Sequence, residues 1–218
     1  MRATAAIDRL IQRRHLLTHP FYTAWTRGEL PRSALRSYAE QYYHFEANFP
    51  RYVGATYARL PDRRDRRLLL DNLVDEEGRD PTHPDLWLDF GRAVGAPRRA
   101  ARFRPPTPGT ARLLAEYERR TLRGSAAEGL GALYAYESQF PAVAAEKSRG
   151  LRAHYGIDDP RAHEFFRVHT EADVAHSAAE RALLDRAVRA SPRARAEAMK
   201  GARGSLGAWW GFLDQWVD

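Results

Sequence analysis

His169, Asp173 and His176 stand at spacings of four and three residues and are the densest chemistry in the chain. At about 100° per residue in a helix, the last two project within about 40° of the first. The same stripe runs through Phe165 or Phe166 before them and Leu183 after them, so it points at a core. Two imidazoles and a carboxylate converging there suit iron, manganese or zinc. The competing account is a surface face on which histidines recur, since the chain has 8 of them. Glu137 repeats the anomaly, in register with Leu130, Leu133 and Phe140. A lone carboxylate in such a stripe is costly unless paired or metal-bound, and costs nothing if it turns to solvent at the helix edge. Another helix carries Glu76 on the line of Leu69 and Leu73, and Glu77 on the line of Leu70 and Val74. Periodicity does not choose between the two. His83 follows seven residues after Glu76, where a capping or turn role before Pro84 is the plain alternative.

Three histidines and three carboxylates are about the inventory that two metals ~3.5–4 Å apart require if open positions are to remain. No Glu-x-x-His pair occurs at these sites, so the pattern is not the ferritin-like one. The chain has no cysteine, which excludes disulfides, thiolate zinc sites, iron–sulfur clusters and a cysteine nucleophile. Any metal must therefore be held by His, Asp and Glu.

The elements that carry these residues read as helices almost throughout, because alternating β-branched runs and hairpin turns are absent. The periodicity predicts helices over about 4–17, 31–48, 65–77, 83–95, 110–122, 125–154 (interrupted by Pro141), 160–190 and 192–216, with a short segment to residue 60. Residues 96–109, rich in Pro, Arg and Gly, read as a surface loop within one domain. The expectation is an all-α single domain over 1–218, with a core over about 1–190 and a Trp-rich C-terminal helix over 191–218. Trp209, Trp210, Phe212 and Trp216 would bury a homodimer interface or close the end of the monomer core.

The net charge of +7 raises the question of nucleic acid. All but two of the 35 basic residues are arginine, scattered along the chain and often beside an acid, so no nucleic-acid partner is expected. No apolar run approaches the ~18 residues of a membrane helix, and the first 17 residues mix Asp8 with four arginines. A cytoplasmic protein without a membrane partner is expected. The two lysines are Lys147 and Lys200. Lys147 lies ten residues after Glu137, and a primary amine can lose its proton and act as a nucleophile where guanidinium cannot. Tyr38 and Tyr42 read as core aromatics at helical spacing, whereas Tyr22, next to Pro20 and outside a regular helix, is free to face a site. His44 and Glu46 have no partner that the spacing names.

The stretches HPFYTAW from His19, YAEQYYHFEANFPRY from Tyr38, LLLDNLVDEEGRDPTHPDLW from Leu68, YESQFPAVAAEKSRGL from Tyr136 and HTEADVAHSAAE from His169 occur in this order. Together they resemble the heme-oxygenase-like diiron oxidases and oxygenases, and among them the branch of the Chlamydia protein associating with death domains. The resemblance spans about residues 5–190. It implies a seven-helix heme-oxygenase-like fold that binds two irons, or one iron and one manganese, and activates O2 with an external reductant. Its ligand set matches Glu76, His83, Glu137, His169, Asp173 and His176, which selects Glu76 over Glu77. In that branch the implied role is p-aminobenzoate synthesis for folate, with the ring drawn from one of the enzyme's own tyrosines and a lysine as amine donor. Tyr22 and Lys147 match those positions, and Tyr136 precedes Glu137. Relatives with nearly the same ligands act on a free amino acid, amine or fatty acid, which is the alternative activity. A basic helical interaction module is the non-enzymatic alternative. Heme oxygenases share the fold and use an early histidine, so His15 or His19 would be the heme candidates.

Overall fold

Prolines and small polar caps decide where these helices begin. The computed structural model describes residues 4–217. Its α-helices are α1 (Ala5–Arg13), α2 (Pro20–Arg27), α3 (Arg32–Glu46), α4 (Phe49–Arg59), α5 (Arg63–Glu77) and α6 (His83–Ala93). There follow α7 (Arg98–Phe103), α8 (Pro108–Tyr117), α9 (Ala126–Glu137), α10 (Phe140–Tyr155), α11 (Pro160–Ala190) and α12 (Pro192–Leu213). No strand occurs among the described residues, so the fold is all-α as expected. Asp62, Thr82, Ser125, Asp159 and Ser191 each accept a backbone N–H at the start of α5, α6, α9, α11 and α12.

The elements are shorter and more numerous than periodicity alone suggests. The helix expected over 4–17 stops at Arg13, and Pro20 opens α2 instead of ending a helix, with the His19 ring accepting the Phe21 N–H. Tyr22 therefore lies in the first turn of a helix, contrary to expectation. The helix expected over 125–154 divides after Glu137, and Pro141 sits in the first turn of α10. The region read as a loop holds the six-residue α7.

The 31-residue α11 is the axis of the molecule and packs against α5, α6, α9, α10 and α12. Helices α9 and α12 approach so closely that a Cβ on Gly131 would lie 2.1 Å from the Ala198 carbonyl oxygen, and one on Gly201 2.0 Å from that of Glu128. This contact holds α9, and with it Glu137, against the core. Trp209 and Phe212 are buried in the same core, and Trp216 packs on Phe21 and Tyr38. Trp209, Phe212 and Trp216 are thus spent inside the monomer. Among the described residues no helix is long and apolar enough to cross a membrane.

Candidate metal centre

Three helices end on a buried carboxylate. Glu46 is the last residue of α3, Glu76 the penultimate residue of α5 and Glu137 the last of α9. The C-terminal end of a helix carries partial negative charge, so an anion placed there is destabilised unless a cation compensates it. His83 opens α6 at the opposite, positive kind of end, which favours the neutral imidazole. His169, Asp173 and His176 come from three successive positions on the inward face of α11, all buried.

The ligand atoms fall into two groups, each within 4.8 Å: Glu46, His83 and His169, and Glu76, Glu137 and His176. The His83 and His169 rings lie 4.5 Å apart between centroids. His176 Nδ1 is 3.5 Å from Glu137 Oε1 and 3.5 Å from Asp173 Oδ1, so Asp173 adjoins the second group. All six residues expected as ligands thus belong to one buried cluster.

Two of the imidazoles are oriented from outside the cluster. His169 Nδ1 donates to the Phe165 carbonyl at 2.8 Å, which leaves Nε2 free and inward. His176 Nε2 meets the exposed Asp75 carboxylate at 3.0 Å, turning Nδ1 toward the cluster. His83 Nδ1 pairs with Glu76 Oε2 at 2.9 Å, and Asn72 donates to Glu137 Oε1 at 3.0 Å. Inward atoms are left without partners: His83 Nε2, His176 Nδ1, Glu137 Oε2, Asp173 Oδ2 and Glu46 Oε1. Buried polar atoms are seldom orphaned in this way, and here they converge. Burial and neighbouring carboxylates push Glu76 up to about 8 and Asp173 to about 7. Burial works against protonation of His176, but Asp173 and Glu137 outweigh it and raise the imidazole to about 11. Protons thereby collect where positive charge is lacking. The donor set, hard nitrogen and oxygen with unfilled lone pairs, fits divalent iron or manganese.

A second pocket adjoins this cluster. Lys147, on α10, is completely buried, and its Nζ lies 4.9–5.7 Å from the centres of six rings: Tyr22, Tyr38, Tyr42, Trp87, Phe140 and Phe166. It donates to the Tyr38 hydroxyl at 2.6 Å, and that hydroxyl is 3.4 Å from the Tyr22 hydroxyl. Burial pushes the ammonium well below its ordinary value, and Glu46 is the anion that opposes the shift. Tyr136 is buried beside this pocket, its hydroxyl paired with that of Tyr42 and its ring stacked on Trp209 at 4.8 Å. Tyr38, read from its spacing as plain core, joins Tyr22 to Lys147. His15 and His19 are engaged elsewhere: both cap the next turn, and His19 Nε2 also meets Asp214 at 3.1 Å.

Sequence reasoning missed two carboxylates. Glu46 continues the Tyr38–Tyr42 line by a further four residues, and Glu180 continues the Asp173–His176 face by four more. Glu180 is fully buried, has no partner for either oxygen and is driven well above the carboxylate range by burial and Glu137.

A helical bundle that turns histidines and carboxylates inward at a dry centre defines a metal-dependent protein with a nitrogen–oxygen site. The chain belongs to the iron-containing redox enzymes of heme-oxygenase-like fold, whose family profile matches residues 36–210. A 4-aminobenzoate synthase of Chlamydia muridarum is 40% identical over 212 residues, covering 97% of this chain and 89% of that protein. Another from Nitrosomonas europaea is 40% identical over 217 residues, covering 95% and 88%. Among solved structures, a CADD-like protein from Nostoc punctiforme superposes with a TM-score of 0.77 at 18% identity, covering 99% of this chain and 97% of that one. A heme-oxygenase-like protein from Shewanella denitrificans gives 0.80 at 17% identity, covering 97% and 88%. At those identities the likeness is one of fold.

Proposed function

We propose that this chain makes 4-aminobenzoate, using Tyr22 as the source of the ring and Lys147 as the amine donor. The observation that carries this reading is the Lys147 amine, buried among aromatic rings and linked through the Tyr38 hydroxyl to that of Tyr22. The relatives named 4-aminobenzoate synthase support it. Glu76, His83, Glu137, His169, Asp173 and His176 would hold two irons, or a manganese and an iron. Once bound, the pair supplies reductive activation of O2, with electrons from an external donor.

The chain's own residues do the rest. The aromatic walls exclude water and keep the lysine neutral, so its nitrogen lone pair is available for transfer. Tyr38 holds that nitrogen at one oxygen and aligns Tyr22 at the other side of the same oxygen. Tyr42 orients Tyr136 beside the carboxylates. Because the ring comes from the polypeptide, each chain is spent once.

Intact-protein mass spectrometry after addition of Fe(II), a reductant and O2 tests this. A mass loss that maps to Tyr22, with 4-aminobenzoate released and none from Tyr22→Phe, is the expected result. A chain of unchanged mass that turns over an added amine, amino acid or fatty acid would replace this reading with that of an oxidase for a free substrate.

A further inference from the structure

We infer that Glu46 is a seventh ligand of the metal centre, closing its His83–His169 side; the inference rests on the dinuclear reading above. Glu46 is 3% exposed, and its Oε1 has no hydrogen-bond partner and lies 3.9 Å from His169 Nε2. His83, a member of the same group of residues, also has an orphaned nitrogen, Nε2. Among the described residues no arginine or lysine pairs with Glu46, whereas the equally buried Glu40 on the same helix is met by Arg36 and Arg104. Its place at the C-terminal end of α3 adds the unfavourable end of the helix dipole. A buried carboxylate so treated calls for a cation.

Charge balance points the same way. Two divalent ions bring four positive charges into a dry site, and Glu76, Glu137 and Asp173 supply three negative ones. Glu46 is the fourth, and it gives the His83–His169 side an anion where it otherwise has two neutral imidazoles. Glu180 does not take this role: it lies against Glu137 and joins neither group of ligand atoms.

Glu46 is also the anion whose charge opposes the lowering of the Lys147 pKa. One carboxylate therefore acts on both the His83–His169 group and the amine. Ligation would draw its charge toward the metals and so favour the neutral lysine.

Titration of Mn(II) into metal-free protein, with free Mn(II) counted by electron paramagnetic resonance, tests the ligand, and thermal melting of the same metal-free samples is the second readout. Wild type is expected to take up two ions per chain. Glu46→Gln, which keeps the shape, should retain one and bind the second at least about tenfold more weakly. Glu46→Leu, which removes every ligand atom, should lose the second ion. The metal-free variants should melt above metal-free wild type, because an uncompensated buried charge has gone. A merely structural glutamate would shift melting downward and leave uptake alone. Two ions bound to both variants with wild-type affinity would overturn the Glu46 assignment and leave the dinuclear reading standing. Wild type binding fewer than two would overturn both.

Discussion

The metal cluster and the lysine pocket share walls but solve opposite problems. In the cluster, seven polar side chains converge, and five of them carry an atom that has no protein partner. In the lysine pocket every hydroxyl is engaged: Tyr22 with Tyr38, Tyr38 with Lys147, and Tyr42 with Tyr136. The cluster is an incomplete charge arrangement that only cations finish. The pocket is complete without any added group, and its cost is the neutralised lysine. One region therefore gains stability from what it binds, and the other gives up stability to hold a reactive group ready.

The widest separation between the two should come from paired variants. His169→Ala removes an inward imidazole and should lose metal and product together, with product yield per chain falling at least about a hundredfold. Lys147→Arg should leave the metal content unchanged and still lose product to a similar degree, since guanidinium stays charged and cannot donate nitrogen. Metal analysis beside product yield reads both. Full metal loss in Lys147→Arg would mean that the two regions are one folding unit rather than two devices.

The cluster was far more legible in the sequence than the pocket. His169, Asp173 and His176 announce themselves because 3.6-residue periodicity turns polar residues onto a face that is otherwise apolar. Glu137 does the same on α9. Glu46 escaped because the line it continues is one of tyrosines, which tolerate a polar neighbour, and because its partners are far away in sequence. Glu180 escaped because a glutamate after two alanines on a long helix looks like an exposed one. In the pocket, Tyr38 was indistinguishable from core, since a tyrosine with its ring buried and its hydroxyl at work has the same spacing as one that only packs. Helix boundaries were least exact around prolines: Pro20, read as ending a helix, opens α2, and the interruption read at Pro141 falls just before it, between Glu137 and Phe140. The fold class needed none of this detail, because the absence of strand patterning already left a helical bundle.

A smaller effect tests how far the cluster is organised from outside. Asp75 is half exposed yet holds His176 Nε2 at 3.0 Å, which fixes the ring so that Nδ1 faces inward. Asp75→Asn should weaken metal binding by about 10–100-fold while leaving the melting temperature of the metal-free protein nearly unchanged. A competition titration against a chelator measures it. Unaltered affinity would show that packing alone orients His176, and that the cluster is as self-contained as the pocket.

A pH-dependent effect separates two states of Lys147. Six rings around an ammonium would also suit a cation–π cage, so the burial that neutralises the amine has a real competitor. Folding of a lysine whose native pKa lies below its ordinary 10.5 releases a proton at any pH between the two values. The unfolded chain then binds more protons than the folded one, so wild-type stability rises with pH across that window, by about 1.4 kcal/mol per unit. Lys147→Met has no such group. It should therefore be more stable than wild type near neutral pH, with an advantage that shrinks as pH climbs and vanishes above 10.5. Melting temperatures of both proteins from about pH 6 to about pH 9.5 give the comparison, and the raised tyrosines common to both cancel. An advantage that does not change with pH, or a Met variant less stable throughout, would mean that the amine is held charged by the rings. The pocket would then be a binding cage, and its nitrogen would have to lose a proton before it could be transferred.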